Sequence, residues 1–214
     1  MEALRRGCNR WISPNGKLRA ASSGLLINMQ VSRYHPLLVI LHWLLAIMII
    51  AMLLVGFFVL APMPNSAPQK IEILLVHMSL GMLILALMLV RFVTRMLTAK
   101  PKDATTGSPL LDRIAPVVHY GFYLIVLLMV ASGYATAIIA GLNKTVFQGS
   151  GDPLPASFAI YPSFIAHGYA AALLAGLIAL HVLAALYHQF VRKDQLFKRM
   201  FFGRRATNSV GEEY

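Results

Sequence analysis

Charged residues are scarce in this chain of 214 residues, where Asp, Glu, Lys and Arg together make up 13% of the positions. An ordinary soluble domain carries about 25% charged residues. Hydrophobic residues, by contrast, account for 58% of the sequence. The low charge therefore excludes an ordinary soluble domain and indicates an integral membrane protein. The length suits one compact domain.

Cysteine occurs once, as Cys8, and acidic residues are few. A single cysteine excludes a disulfide framework within the chain and the Cys-x-x-Cys-His motif that attaches haem covalently. Only 8 acidic residues oppose 19 basic ones, so the formal net charge is +11. Such an excess suits either nucleic acid or an anionic membrane surface, and the positions of the charges distinguish the two.

Four apolar stretches are each long enough to cross a bilayer, which takes about 20 residues of helix. Loops that contain proline, glycine and serine separate them. The sequence therefore predicts an all-α fold, an integral membrane four-helix bundle. The predicted spans are Leu37–Leu60, Ile71–Val93, Pro116–Ile139 and Phe164–Phe190.

The bundle is expected to occupy residues 31–205, with a polar segment on each side of it. Residues 1–30 are basic, have no core-forming periodicity and are expected to form a disordered N-terminal arm. Met29 opens the apolar part of the sequence, so it is either a residue of a genuine arm or the true start of translation. Residues 206–214 are expected to be a flexible C-terminal tail.

The basic residues are concentrated on one side of the predicted bundle. Of the 19, 17 lie in residues 1–36, 91–113 and 191–214, and the other side keeps only Lys70 and Lys144. Basic loops stay in the cytoplasm, so both termini are predicted to be cytoplasmic. This asymmetry accounts for the positive charge without nucleic acid and predicts a multi-pass protein of the bacterial inner membrane.

Histidines interrupt the apolar spans, and an ionisable side chain inside a membrane is by default a candidate for function. His167 and His181 lie 14 residues apart on the fourth span, hence ~21 Å apart on nearly the same helix face. Because successive spans alternate in direction, His42 lies at the depth of His181, near the cytoplasmic surface. His77 lies at the depth of His167, near the outer surface.

Two imidazoles at matching depth on different helices suit a bis-histidine haem, whose iron takes one nitrogen from each face. Zinc fits poorly, because structural zinc needs four ligands close together and catalytic zinc usually three. The alternative for any single membrane histidine is a hydrogen bond between helices. Four histidines in two matched pairs favour haem ligation over that alternative.

Two further histidines lie towards the cytoplasmic end of the predicted bundle. His119 has about the depth of His42 and could compete with it for His181. His188 follows His181 by seven residues, on nearly the same helix face. It is either an interfacial polar residue or a group that handles protons beside a redox site, since imidazole titrates near neutrality.

Arg91 and Arg95 lie one helical turn apart at the end of the second span. They either anchor that end in the cytoplasm or bind haem propionates or a quinone head group. Quinone reduction consumes protons, so its site needs a titratable group near water. The sequence therefore predicts a quinone site at His188, with the two arginines beside it.

Five segments of the sequence together resemble the bacterial cytochrome b561 family, which is grouped with the b-type cytochromes of nickel hydrogenases. The resemblance extends from about Tyr34 to Arg205. The segments are LHW at 41–43, VHMSLGMLILALMLVRFVTR at 76–95, VVHYGFYLIVLLMVASGY at 117–134, AHGY at 166–169 and LHVLAALYHQFVRKDQLFKRM at 180–200.

The resemblance implies a four-helix membrane bundle that binds two b haems. The family's ligands map onto His42 and His181 for one haem and onto His77 and His167 for the other, which leaves His119 outside the ligand set. Members of the family exchange electrons with membrane quinones. The implied function is electron transfer between a quinone and a donor or acceptor on the outer side, such as a periplasmic or membrane redox partner.

Three other functions compete with this one. The chain could be a haem-bearing membrane anchor subunit of a separate dehydrogenase or hydrogenase. It could be a superoxide-oxidising quinone reductase, an activity known in the family, but the charges on the outer side sum to zero and would not attract an anion. It could also be a channel or transporter without haem.

Overall fold

The computed structural model describes residues 17–19, 26–101, 109–193, 196–201, 203 and 207–211. Four long helices dominate it, and each contains a stretch long and apolar enough to cross a membrane. The predicted all-α membrane bundle is therefore confirmed. The helices are α1 (Pro36–Val55), α2 (Gln69–Leu97), α3 (Pro109–Ile139) and α4 (Pro162–Tyr187).

Two of the helices continue into wider π-helical turns, which lengthens their apolar spans. Residues Gly56–Leu60 extend α1, and His188–Arg192 extend α4. Proline occupies the first turn of both helices, where its missing N–H costs nothing. His35 caps α1, because its Nδ1 accepts a hydrogen bond of 3.3 Å from the backbone N–H of Leu37. π-helical turns are rare and often occur at functional sites.

Helices that follow one another in the sequence pack together: α1 on α2, α2 on α3 and, most extensively, α3 on α4. A central layer of buried apolar side chains joins all four, while large apolar side chains outside it are exposed, as expected for a surface that faces lipid. The layer consists of Leu45, Met52, Leu53, Ile84, Met88, Ile125, Val126, Ala170, Ala171 and Leu174.

The two ends of the bundle differ, and we name them by what they contain. The loop end holds the connections 61–68 and 140–161, and a second apolar cluster that includes Ala137 and Phe158. Lys70 is buried there, only 5% exposed, and its Nζ donates a hydrogen bond of 2.5 Å to the carbonyl of Met63. The terminal end is the end at which α1 begins and α4 stops.

At the terminal end a short 3₁₀ segment, Leu196–Met200, lies against the start of α1. The indole N–H of Trp43 donates a hydrogen bond of 2.9 Å to the carbonyl of Met200, and the Trp43 and Phe201 rings are 5.5 Å apart. The chain after α4 is thus tied to the residue that follows His42.

Three short strands lie outside the bundle and form one antiparallel sheet in the order β1-β2-β3. They are β1 (Lys17–Arg19), β2 (Leu26–Val31) and β3 (Thr207–Gly211). Most of the predicted arm, residues 1–30, and part of the predicted tail, residues 206–214, lie outside the described residues. The division into arm, bundle and tail therefore stays a prediction.

Candidate functional site

The structure brings together the two histidine pairs that the sequence matched by depth. At the terminal end, the ring centres of His42 on α1 and His181 on α4 are 6.3 Å apart, with the ring planes at 71°. At the loop end, His77 on α2 and His167 on α4 are 6.2 Å apart, at 69°. The two pairs thus have nearly the same internal geometry at opposite ends of α4.

Both separations suit a metal ion held between two imidazoles. A metal–imidazole bond is ~2 Å long and the nitrogen lies ~1.1 Å from the ring centre, so two opposed rings are separated by ~6.2 Å. No group of three or more His, Cys, Asp or Glu in the described part of the chain could hold a metal ion. Each pair therefore supplies two nitrogens, and an iron bound between its rings would need a porphyrin for its other bonds.

A backbone carbonyl fixes the orientation of the His167 ring. Nδ1 of His167 lies 2.8 Å from the carbonyl oxygen of Met129 on α3. A carbonyl only accepts, so Nδ1 carries the proton, and Nε2 keeps a free electron pair for a metal. The ring comes this close because residue 133 is glycine: a Cβ on Gly133 would lie 3.1 Å from both Cε1 and Nδ1 of His167.

His77 lacks the support that His167 has. Its Nδ1 is buried and makes no hydrogen bond within the part of the chain that the structure describes. A buried polar atom without a partner is rare in native proteins and calls for an explanation. The His77 ring lies beside the start of the π-helical turn that extends α1, since a Cβ on Gly56 would lie 3.9 Å from Cε1 of His77. The two imidazoles of the loop-end pair thus differ: Nδ1 of His167 has a carbonyl partner, and Nδ1 of His77 has none among the described residues.

His119 adds a third imidazole at the terminal end. Its ring centre is 5.7 Å from that of His181, with the planes at 88°. Phe122, which is on α3 like His119, has its ring centre 5.5 Å from that of His181. His119 therefore lies close enough to His181 to compete with His42 for it, the alternative that the sequence left open. The geometry of His42 with His181 nevertheless matches that of the loop-end pair more closely.

The two arginines of α2 have different surroundings. Arg91 is buried, and its Nη1 donates a hydrogen bond of 2.5 Å to the carbonyl of Leu38. In an α-helix that same carbonyl accepts from the N–H of His42, so Arg91 supports the backbone of the turn that carries His42. Arg95 is less buried, and its guanidinium lies 5.8 Å from the centre of the Tyr120 ring.

His188 begins the π-helical turn that ends the fourth span, and its ring centre is 6.0 Å from that of Tyr187. A shallow cavity of about 280 Å³ opens at the next residue, so His188 adjoins the cavity without lining it. One polar atom there, Oε1 of Gln189, is buried and lacks a hydrogen bond among the described residues. The lining residues are Gln189, Phe190, Lys193 and Lys198.

The groups around His167 were not predicted from the sequence. The Met129 carbonyl is a backbone atom, so no residue type signals it. Ser132 and Gly133 were visible as a small, polar interruption in the third apolar span. Small residues in a membrane helix mark a close approach of a neighbour, and this one is the approach of the His167 ring.

Four apolar helices around paired imidazoles suit a membrane-embedded haem protein, and comparisons with known proteins agree with that class. The family model described as prokaryotic cytochrome b561 matches residues 33–203. A cytochrome b561 homologue from Escherichia coli K12, "Cytochrome b561 homolog 2", is 26% identical over 176 residues, which cover 78% of this chain and 90% of that protein. "Probable superoxide oxidase CybB" from Yersinia pestis is 30% identical over 177 residues, which cover 78% of this chain and 95% of that protein.

The chain belongs to the prokaryotic cytochrome b561 family. The predicted resemblance is thereby confirmed. Membership implies b-type haem binding and electron transport, and the four spans agree with a multi-pass protein of the bacterial inner membrane.

Proposed function

We propose that the chain is a dihaem b-type cytochrome that transfers electrons between a membrane quinone and a donor or acceptor at the opposite face of the membrane. The observation that carries the proposal is the pair of matched imidazole sites, 6.3 Å and 6.2 Å across, at opposite ends of α4. The α4 ligands of the two sites, His167 and His181, are 14 residues apart. That spacing is ~21 Å along the helix, which is most of a ~30 Å hydrocarbon core.

In this proposal His42 and His181 would hold the haem at the terminal end, and His77 and His167 would hold the haem at the loop end. The haems supply the electron chemistry. The protein supplies the ligand nitrogens, a mostly apolar surrounding and the hydrogen bonds that tune the ligands. The sparse direct packing of α4 on α1 and α2, within the described bundle, leaves room for a flat group between them.

Quinone is proposed to react at the terminal end, which the distribution of basic residues assigns to the cytoplasm. His188 is the residue proposed to act there, and it lies about 10 Å along the helix from His181. Two cationic side chains, Lys193 and Lys198, are among the residues that line the adjoining cavity. Arg95 is the more accessible of the two arginines, while Arg91 has a positioning role beside His42.

The name of the Yersinia pestis relative raises superoxide oxidation as a second candidate. Superoxide is an anion, and a positive surface would attract it. At the loop end Lys70 is buried and bonded to a carbonyl, so Glu72, Lys144 and Asp152 are the exposed charges, with a net charge of −1. This charge balance supports a protein or quinol partner over superoxide.

A haem count and a quinol assay test the proposed function. The purified protein should hold two haems, all removable by acid–organic extraction, because the sequence offers no covalent attachment. A short-chain quinol should then reduce the haems of the oxidised protein. One haem per chain, or two haems that quinol leaves oxidised, would overturn the proposal. Copurification from native membranes separates an independent cytochrome from the anchor subunit of a larger dehydrogenase or hydrogenase.

A further inference from the structure

One carbonyl oxygen on α3 serves three donors at the loop end. The carbonyl of Met129 lies 2.8 Å from Nδ1 of His167 and accepts a hydrogen bond of 2.9 Å from the Ser132 hydroxyl. Within a regular α-helix it also accepts from the N–H of Gly133. A carbonyl oxygen has two lone pairs, so three donors compete for it. Each bond is consequently weaker than it would be with one donor fewer.

The bond from Nδ1 determines how strongly His167 donates to a metal on its other nitrogen. A hydrogen bond to a carbonyl raises the basicity of an imidazole ligand. A more basic ligand stabilises the oxidised, more positive iron and so lowers the reduction potential of a haem. Because Nδ1 of His77 has no such bond among the described residues, this form of tuning acts through His167 alone.

We propose that Ser132 is a positioning residue that sets the reduction potential of the loop-end haem. Its hydroxyl takes a share of the Met129 carbonyl and thereby weakens the bond that His167 makes with the same oxygen. The Ser132 hydroxyl donates to the Met129 carbonyl and not to either imidazole of the pair. Its effect on the haem is therefore transmitted through that carbonyl. The inference rests on the proposed function, since it requires a haem between His77 and His167.

The test is Ser132→Ala, measured by redox titration of the purified two-haem protein. Removing the competing hydroxyl strengthens the bond from His167, so the reduction equilibrium of the loop-end haem should shift towards the oxidised form by three- to tenfold. At 59 mV per decade for one electron, this is a potential lower by ~30–60 mV. The potential of the terminal-end haem and the haem content should not change.

Two variants are the matched controls. Ser132→Thr keeps a hydroxyl at the same position and should restore the wild-type potential. Thr136→Val removes a buried hydroxyl one turn along α3, which donates to the carbonyl of Ser132 at 2.9 Å and lies 2.8 Å from the Ser163 hydroxyl. It does not reach Met129, so both potentials should stay at the wild-type values.

The result separates the inference from the function on which it rests. In the redox titration, the transition that is lost in His77→Ala identifies the loop-end haem. The low-spin ferric electron paramagnetic resonance signal of that haem gives a second measure of how strongly His167 donates to the iron. A wild-type protein without two haems would refute the proposed function itself. Two haems with an unchanged or raised potential in Ser132→Ala, or an equal shift in Thr136→Val, would refute the role of Ser132 alone.

Discussion

Gly133→Ala is the substitution for which the structure predicts the most specific effect. The added Cβ would lie 3.1 Å from Cε1 and Nδ1 of His167, whereas ordinary contacts of this kind are 3.4–4 Å. The ring must therefore retreat by a few tenths of an ångström. That movement lengthens the 2.8 Å contact with the Met129 carbonyl to the outer limit of a normal hydrogen bond.

The expected magnitude combines two effects. A hydrogen bond of this kind contributes ~0.5–1.5 kcal/mol, so weakening it should raise the potential of the loop-end haem by ~20–60 mV for a one-electron couple. The crowding itself should cost ~1–3 kcal/mol of stability. Loss of ring orientation should also lower the occupancy of the loop-end haem, while the terminal-end haem keeps its content and potential.

Gly121→Ala is the control because it makes the same change in the same helix. A Cβ on Gly121 meets nothing within 4 Å. Alanine favours a helix over glycine by ~1 kcal/mol, so this variant should be as stable as the wild type or more stable, with both haem potentials unchanged. Redox titration, haem content and thermal unfolding of the three proteins provide the comparison. If Gly133→Ala and Gly121→Ala behave alike, the close approach of His167 to α3 is wrong.

Three further predictions test the site and its orientation. His77→Ala and His167→Ala should each remove the loop-end haem, and His42→Ala and His181→Ala the terminal-end haem; removal of a haem by His119→Ala but not by His42→Ala would reassign that ligand. Alkaline phosphatase fused after Arg205 should be inactive and fused near Gly149 active, and the reverse pattern would invert the topology. His188→Ala should keep both haems but slow their reduction by quinol ~10²-fold, the usual effect of losing an acid–base group, and unchanged kinetics from pH 5.5 to 8 would exclude His188 as the quinone site.

The sequence was sufficient to predict the spans and the pairing of histidines by depth. Long apolar runs determine which segments cross a membrane, and the spacing of His167 and His181 determines their separation along a helix. The alternating direction of the spans then assigns His42 and His77 to the two depths. The structure brings together the same pairs, because all these quantities depend only on positions along the helix axes.

Rotation of each helix about its axis was not predictable in the same way. A membrane helix is apolar on every side, so periodicity does not show which face meets its neighbours. For this reason the sequence left His119 as a competitor for His181, and the structure indeed has the two rings 5.7 Å apart. For the same reason it gave no sign that Arg91 bonds the Leu38 carbonyl or that Lys70 is buried.

The position of the histidine pairs follows from how the helices are joined. Helices joined directly along the chain, α1 with α2 and α3 with α4, pack on each other, whereas α4 packs only sparsely on α1 and α2 in the described bundle. Both pairs lie across that sparse contact: one ligand of each is on α4, and the others are on α1 and α2. Haem binding would therefore add two crosslinks where the direct packing of one helix on another is sparse. Removal of the haems should then loosen the contact between the two hairpins more than either hairpin itself.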